Sequence, residues 1–333
     1  MTRRRIDVTV IVPLILLIII LAFFTFRTNG RMVTVNNLRA IFDQTIVTII
    51  VGLGVIFVVA TGGTDLSVGT TIGITTVFGS YMIGIVGNEL ILFPVAFALA
   101  LVQGFVNGFL VTKMRVPSFM ATLAMLIGMR GIVNFVQSKL PGLYFAGPIV
   151  NAFRRFDIKI CVLIILILII YYLLSYTKFG EYCKAIGENE SVAISVGVPV
   201  TKIKIAAFVL SSVMAAIGGF FVMGRVGGTN TTMGVSVEID IVMAIFLGSV
   251  LVTGGYSAKI PKLIIGAFTL TLIKNGMTMI RMTSIRDTQA AQGILLMLIL
   301  LATIQISNRE FSFSRNSKAP LQQSSEQMQQ NKD

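Results

Sequence analysis

The chain has 333 residues, 55% hydrophobic and 12% charged, with 27 Lys and Arg against 14 Asp and Glu and no His. Soluble domains carry roughly 25% charged residues, and here the apolar residues gather in runs of about 17–25, which excludes an ordinary soluble enzyme and points to a polytopic α-helical membrane protein. The net charge of +13 is spread over many loops, which excludes a nucleic-acid face and fits basic cytoplasmic loops.

In chain order, Arg3, Arg4 and Arg5 precede an apolar run too long for a signal peptide, with no A-x-A cleavage site after it. It reads as an uncleaved first span. About ten spans follow from the hydropathy pattern, at 8–26, 45–60, 71–86, 90–112, 119–137, 159–175, 205–224, 237–252, 262–280 and 289–306. The third and eighth are short. With the start inside, both termini are expected in the cytoplasm, and Lys and Arg are more numerous in the segments this places inside. Residues 1–310 form one membrane domain, and the Gln- and Ser-rich tail 311–333 is expected to be disordered. Spans 2–5 and 7–10 form two groups of four running in opposite directions, an expected inverted repeat. Two echoes support it: "GGTDLSVG" at 62–69 against "GGTNTTMG" at 227–234, and Asn-Gly at 107–108 and again at 275–276.

The stretch "ATGGTDLSVGTTIG", 60–73, places an acid and four glycines between two spans. Lipid does not tolerate open backbone, so this broken segment is expected inside protein or along a water path. Asp65 and Ser67 either hold a helix end or meet a cargo. Gln103, Asn107, Asn134 and Asn275 are uncharged hydrogen-bonding groups within spans. They suit a neutral, hydroxyl-rich cargo or bonds between helices. Arg130 and Lys274 lie within spans, where a charge is costly. They either line a polar path or pair with a backbone carbonyl, an acid or the membrane face. Gly104-x-x-x-Gly108 and Gly69-x-x-x-Gly73 read as close helix packing. Glu238 and Asp240 suit the start of the eighth span. Cys161 and Cys183 lie in unlike settings and suggest neither a disulfide nor a metal site. Without His the chain lacks the commonest general base.

The polar loop at 176–204 reads as one short helix centred on 185–196, stopped by Gly197 and Pro199. A compact helix of small residues, with Ala185, Gly187, Asn189, Ala193 and Gly197, suits docking into a partner's groove. No Gly-Lys pair occurs anywhere, so the chain has no P-loop. An ATP-driven transporter would need a separate ATPase. An ion-coupled secondary transporter of a small polar solute is the alternative reading.

The loop at 176–204, "GGTDLSVG" at 62–69, "NGFLVTKMRVPSFMATLAMLIGMRG" at 107–131 and "GSVLVTGGYSAKIPKLIIGAFTLTLIKNGMTM" at 248–279 together resemble the permeases of sugar-type bacterial ABC importers, the ribose, galactose and xylose class. The resemblance covers nearly the whole chain in order. Two places depart from it: "TGGYSA" at 253–258 stands for a GGTSL-type stretch, and Lys274 stands before the Asn-Gly pair where Asn is common. The resemblance implies a subunit in the bacterial cytoplasmic (inner) membrane, importing a pentose or hexose by alternating access, with a nucleoside as another cargo. It implies ABC ATPase subunits on the cytoplasmic loop, an extracytoplasmic sugar-binding protein and a second permease copy or paralogue. The subunit itself would be no enzyme and hold no cofactor, ATP being bound by the ATPase.

Overall fold

The computed structural model describes residues 8–139, 147–230, 232–250 and 254–280, together with the single positions 290, 293, 294 and 297. The chain divides into two compact units, 1–282 and 283–333, and the elements below belong to the first. Four helical positions are all that is described of the second, so the expected span 289–306 and the tail 311–333 lie outside the described residues.

Among the described residues the secondary structure is helical throughout. The long helices are α1 (Val8–Arg27), α2 (Val35–Ala60), α3 (Val68–Val86), α4 (Leu92–Thr112) and α5 (Ser118–Lys139). After a short α6 (Pro148–Ala152) come α7 (Phe156–Tyr176), α8 (Lys178–Glu188), α9 (Glu190–Ser195), α10 (Val200–Val226), α11 (Val237–Leu247) and α12 (Ile260–Met279). Each of the first nine expected spans has a helix at its place. Seven are long and apolar enough to cross a membrane: α1, α2, α3, α4 with the turn before it, α5, α7 and α10. The eighth expected span, 237–252, is shorter than read, because α11 stops at Leu247 where Gly248 caps it. Its 11 residues reach only about 17 Å at 1.5 Å per residue, too little for ~30 Å of hydrocarbon.

The second span was read as 45–60, yet α2 begins at Val35. Its first turns are polar and are held by neighbours rather than by hydropathy. Asp43 pairs with Lys159 on α7, and Arg39 lies over the Phe156 ring at 4.9 Å. From Thr45 to Ala60 every α2 residue is buried. A helix apolar on all sides belongs in the middle of a bundle. It packs on α10, α12, α11 and α7, and α10 also packs on α4 and α3. The α4–α10 contact follows from the expected glycine pair. A Cβ at Gly104 would stand 2.6 Å from the Val209 Cα, and one at Gly108 would stand 2.7 Å from the Ile205 Cα. Only hydrogen fits there, so the two backbones approach as small-residue pairs allow.

Candidate functional site

The broken segment after α2 is buried in protein. Ala60 ends the helix, and Gly62 takes a left-handed φ of 76° that turns the chain inward. Asp65 is 2% exposed. Its Oδ1 accepts the Ser67 backbone N–H at 3.0 Å and the Ser67 hydroxyl at 2.7 Å, and its Oδ2 accepts the Ser211 hydroxyl of α10 at 2.7 Å. Asn107 of α4 donates to the Ser67 hydroxyl at 2.8 Å, and Gln103 donates to the Ser67 carbonyl at 3.4 Å. Across the turn, the Thr64 amide donates to the Ser118 hydroxyl at 3.1 Å, at the start of α5. Hydrogen bonds from three helices thus hold the loop, as a buried polar group requires. Ser211 lies about 17 Å along α10 from Val200. So α3 starts inside the bundle, not at a face.

A second turn approaches it from the other end of α10. Arg130 of α5 donates to the Met233 carbonyl at 2.7 Å and to the Gly234 carbonyl at 3.2 Å, and Gln137 donates to the Asn230 carbonyl at 2.6 Å. The turn comes back so far that a Cβ at Gly69 would meet the Gly234 carbonyl and the Glu238 carboxylate. The first turns of α3 and α11 therefore begin against each other. Helix α5 touches both segments, with Ser118 at one end and Arg130 and Gln137 towards the other.

Two cavities flank this arrangement. One of about 770 Å³ opens at the end that carries α9, lined by Gly62, Gly63, Arg115, Ser118, Glu190 and Lys204 among others. The other, about 400 Å³, is lined by Gln44, Thr48, Arg225, Asp240, Thr271 and Lys274 with apolar neighbours. Within it Lys274 and Asp240 form an ion pair.

A family model described as "Branched-chain amino acid transport system / permease component" matches residues 37–304. The chain belongs to this family. The ribose import permease of Escherichia coli (strain K12) is 30% identical over 296 residues, covering 86% of this chain and 92% of that protein. The xylose transport system permease of Haemophilus influenzae is 25% identical, over 90% of this chain and 97% of its own length. The galactose/methyl galactoside import permease of Salmonella typhimurium is 27% identical, over 89% and 94%. No solved structure matches the chain.

In the permease, then, the structure brings together Asp65, Ser67, Gln103 and Asn107. It does not bring Asn134 or Asn275 to them. Asn134 is exposed on α5, and Asn275 lies on α12 with its carboxamide oxygen buried and without a hydrogen-bond partner among the described residues. None of the six lines either cavity. Both span cations are partnered, Arg130 by two carbonyls and Lys274 by Asp240. Ser211 and Ser118 were missed. The only hint was the Ser-Ser pair at 211–212 in an otherwise apolar run.

The loop at 176–204 also differs from its reading. In place of one helix centred on 185–196 there are two, broken at Asn189. Asn189 is extended and its side-chain oxygen accepts the Val192 N–H at 3.0 Å, an N-cap that starts α9 afresh. Glu190 in the first turn suits the helix dipole there. Gly187 is pressed against the Ala60 carbonyl and Gly255, while Ala193 is buried with Ile186 and Val198. Ala185 is half-buried, and Asn189 and Gly197 are exposed, Gly197 with φ of 84°. Three apolar residues also stand out from the loop: Val192, Ile194 and Val196 are 57%, 58% and 73% exposed.

Proposed function

We propose that this permease is the membrane subunit of an ATP-driven importer that moves a monosaccharide, pentose or hexose, by alternating access. The observation that carries the sugar is the run of relatives named for ribose, xylose and galactose, each matched along most of both chains. The end bearing α8 and α9 faces the cytoplasm, and an ATPase seats on Val192, Ile194 and Val196 with Glu188 and Glu190 at the rim. An extracytoplasmic sugar-binding protein delivers the cargo at the other end, and a second permease copy or paralogue completes the path. The undescribed tenth span and an inverted repeat suit this plan. In it, α3 and α11 are the equivalent helices of the two halves, and their N-terminal turns meet inside the bundle.

The Asp65 network reads as structure in this scheme, since its hydrogen bonds are made within the protein and neither of the two cavities described above is lined by it. The experiment is uptake of labelled ribose, xylose and galactose by membrane vesicles from cells making the whole transporter. Uptake should require ATP on the α8–α9 side and persist when an uncoupler collapses the proton gradient at constant ATP. Uptake that follows the gradient instead would establish the ion-coupled alternative.

A further inference from the structure

One face of α8 is committed to a short turn that precedes α12. The 3₁₀ turn Gly255–Ser257 lies beside it. Tyr256 donates its hydroxyl to Glu181 Oε2 at 3.0 Å, and its backbone N–H to Glu188 Oε1 at 2.9 Å. Lys184, paired with Glu181 at 2.8 Å, lies over the Tyr256 ring at 5.6 Å. Residues 181, 184 and 188 recur at helical spacing, so the three contacts form one stripe. Beneath the stripe, bare backbones meet. A Cβ at Gly187 would strike the Ala60 carbonyl, and one at Gly254 would strike the Val59 carbonyl. Gly254 and Gly255 have left-handed φ of 75° and 61°. Helix α8 thus touches two segments at once: the end of α2, five residues before Asp65, and the turn five residues before Ile260, where α12 begins.

We infer that Tyr256, Glu181 and Glu188 form a coupling clasp that ties α12 to movements of α8, while the backbone contact at Gly187 ties the Asp65 segment to the same helix. The inference rests on the importer reading, in which an ATPase pushes on α9 and α8. The two ties differ physically. Backbone against backbone has no side chain to yield. The clasp is polar and half-exposed to water, so it can be broken by substitution without disturbing the core. Tyr256 and Glu181 are positioning residues, acting through the α8–α12 contact.

The test uses the whole transporter in vesicles and reads labelled sugar taken up per ATP hydrolysed, together with ATPase retained on the membrane. Tyr256→Phe and Glu181→Ala should lower that ratio about three- to tenfold, the worth of one hydrogen bond. ATPase retention should stay at the wild-type level. Glu181→Gln keeps an acceptor for the phenol and should recover most of the ratio. The double variant Tyr256→Phe/Glu181→Ala should be no worse than the worse single variant, since both remove the same contact. An unchanged ratio in both single variants overturns the clasp, as does a double variant whose losses add. Failure of the importer reading shows separately, as wild-type vesicles without ATP-dependent uptake, and that result removes the clasp as well.

Discussion

Asp65 illustrates how a buried acid is held by hydroxyls and an amide, with no cation beside it among the described residues. Its two oxygens take three hydrogen bonds, two from Ser67 and one from Ser211. Asp65→Asn keeps an oxygen for Ser67 and turns an amide towards a hydroxyl that can rotate to accept. Asp65→Ala strands the buried Ser67 amide at a cost of about 1–3 kcal/mol, while the Ser211 hydroxyl can turn to its own helix backbone. Thermal unfolding in detergent should therefore rank wild type above Asn and Asn well above Ala. Four members of this network were legible, because an acid, a Ser, a Gln and an Asn among apolar spans stand out. Ser211 was not, since it lies 146 residues from Asp65 and a lone hydroxyl in a helix commonly bonds its own backbone. Beside the end of α2, the Tyr256 phenol is held above its ordinary 10 by its bond to Glu181, and Lys184 with the same bond holds Glu181 below its ordinary 4.5. The signs agree. The Glu181 contribution is present above pH 4.5 and lost as pH falls below the depressed value. The Tyr256 contribution is present below pH 10 and lost as pH rises through the elevated value. Glu181→Ala should return the phenol's absorbance titration towards 10.

At the scale of elements, α8 and α9 divide their labour. The inward residues Ala193, Ile186 and Val198 pack together, and the outward Val192, Ile194 and Val196 are left bare. Val196→Asp should weaken retention of the ATPase on membranes while leaving the unfolding temperature near wild type. Ala193→Asp puts a charge into a packed site and should lower both. The α4–α10 pair gives a sharper contrast. Gly104→Leu or Gly108→Leu forces side-chain atoms into α10 backbone, and overpacking costs about 1–3 kcal/mol, read as a lower unfolding temperature. Gly84 has open space and no such contact, so Gly84→Ala should be silent in the same assay. Helix packing at 104–108 was legible because glycines four apart carry that meaning wherever they fall on a span. The split at Asn189 was hidden because the loop was read as one helix through 185–196, with Gly187 and Asn189 inside it; Gly180 and Gly187 are places where a neighbouring backbone sits.

For the whole molecule, hydropathy finds spans and says little about their neighbours. Of the residues that mark α2 as a span, 83% are buried, against 17% in α1, yet both are strongly apolar. Lipid tails are as apolar as a protein core, so the two environments write the same residues. The meeting of the α3 and α11 first turns was invisible for a related reason, being set by how far two turns descend beside α10. The resemblance to sugar-importer permeases rested on longer stretches and led to the family that the comparisons show.

The seat of α8 has a consequence for the order in which the permease is made. Its floor comes from chain synthesised before it, at Ala60, and from chain synthesised after it, at Gly254 and Gly255. A ribosome has to pass α11 before α8 can settle, so the outward face of α9 reaches its final attitude late in biogenesis. Nascent chains stopped at residue 250 should leave the 178–197 segment open to added protease, and chains extended through α12 should protect it. An ATPase that requires the settled α8 would in this way join finished permeases and pass over partial ones.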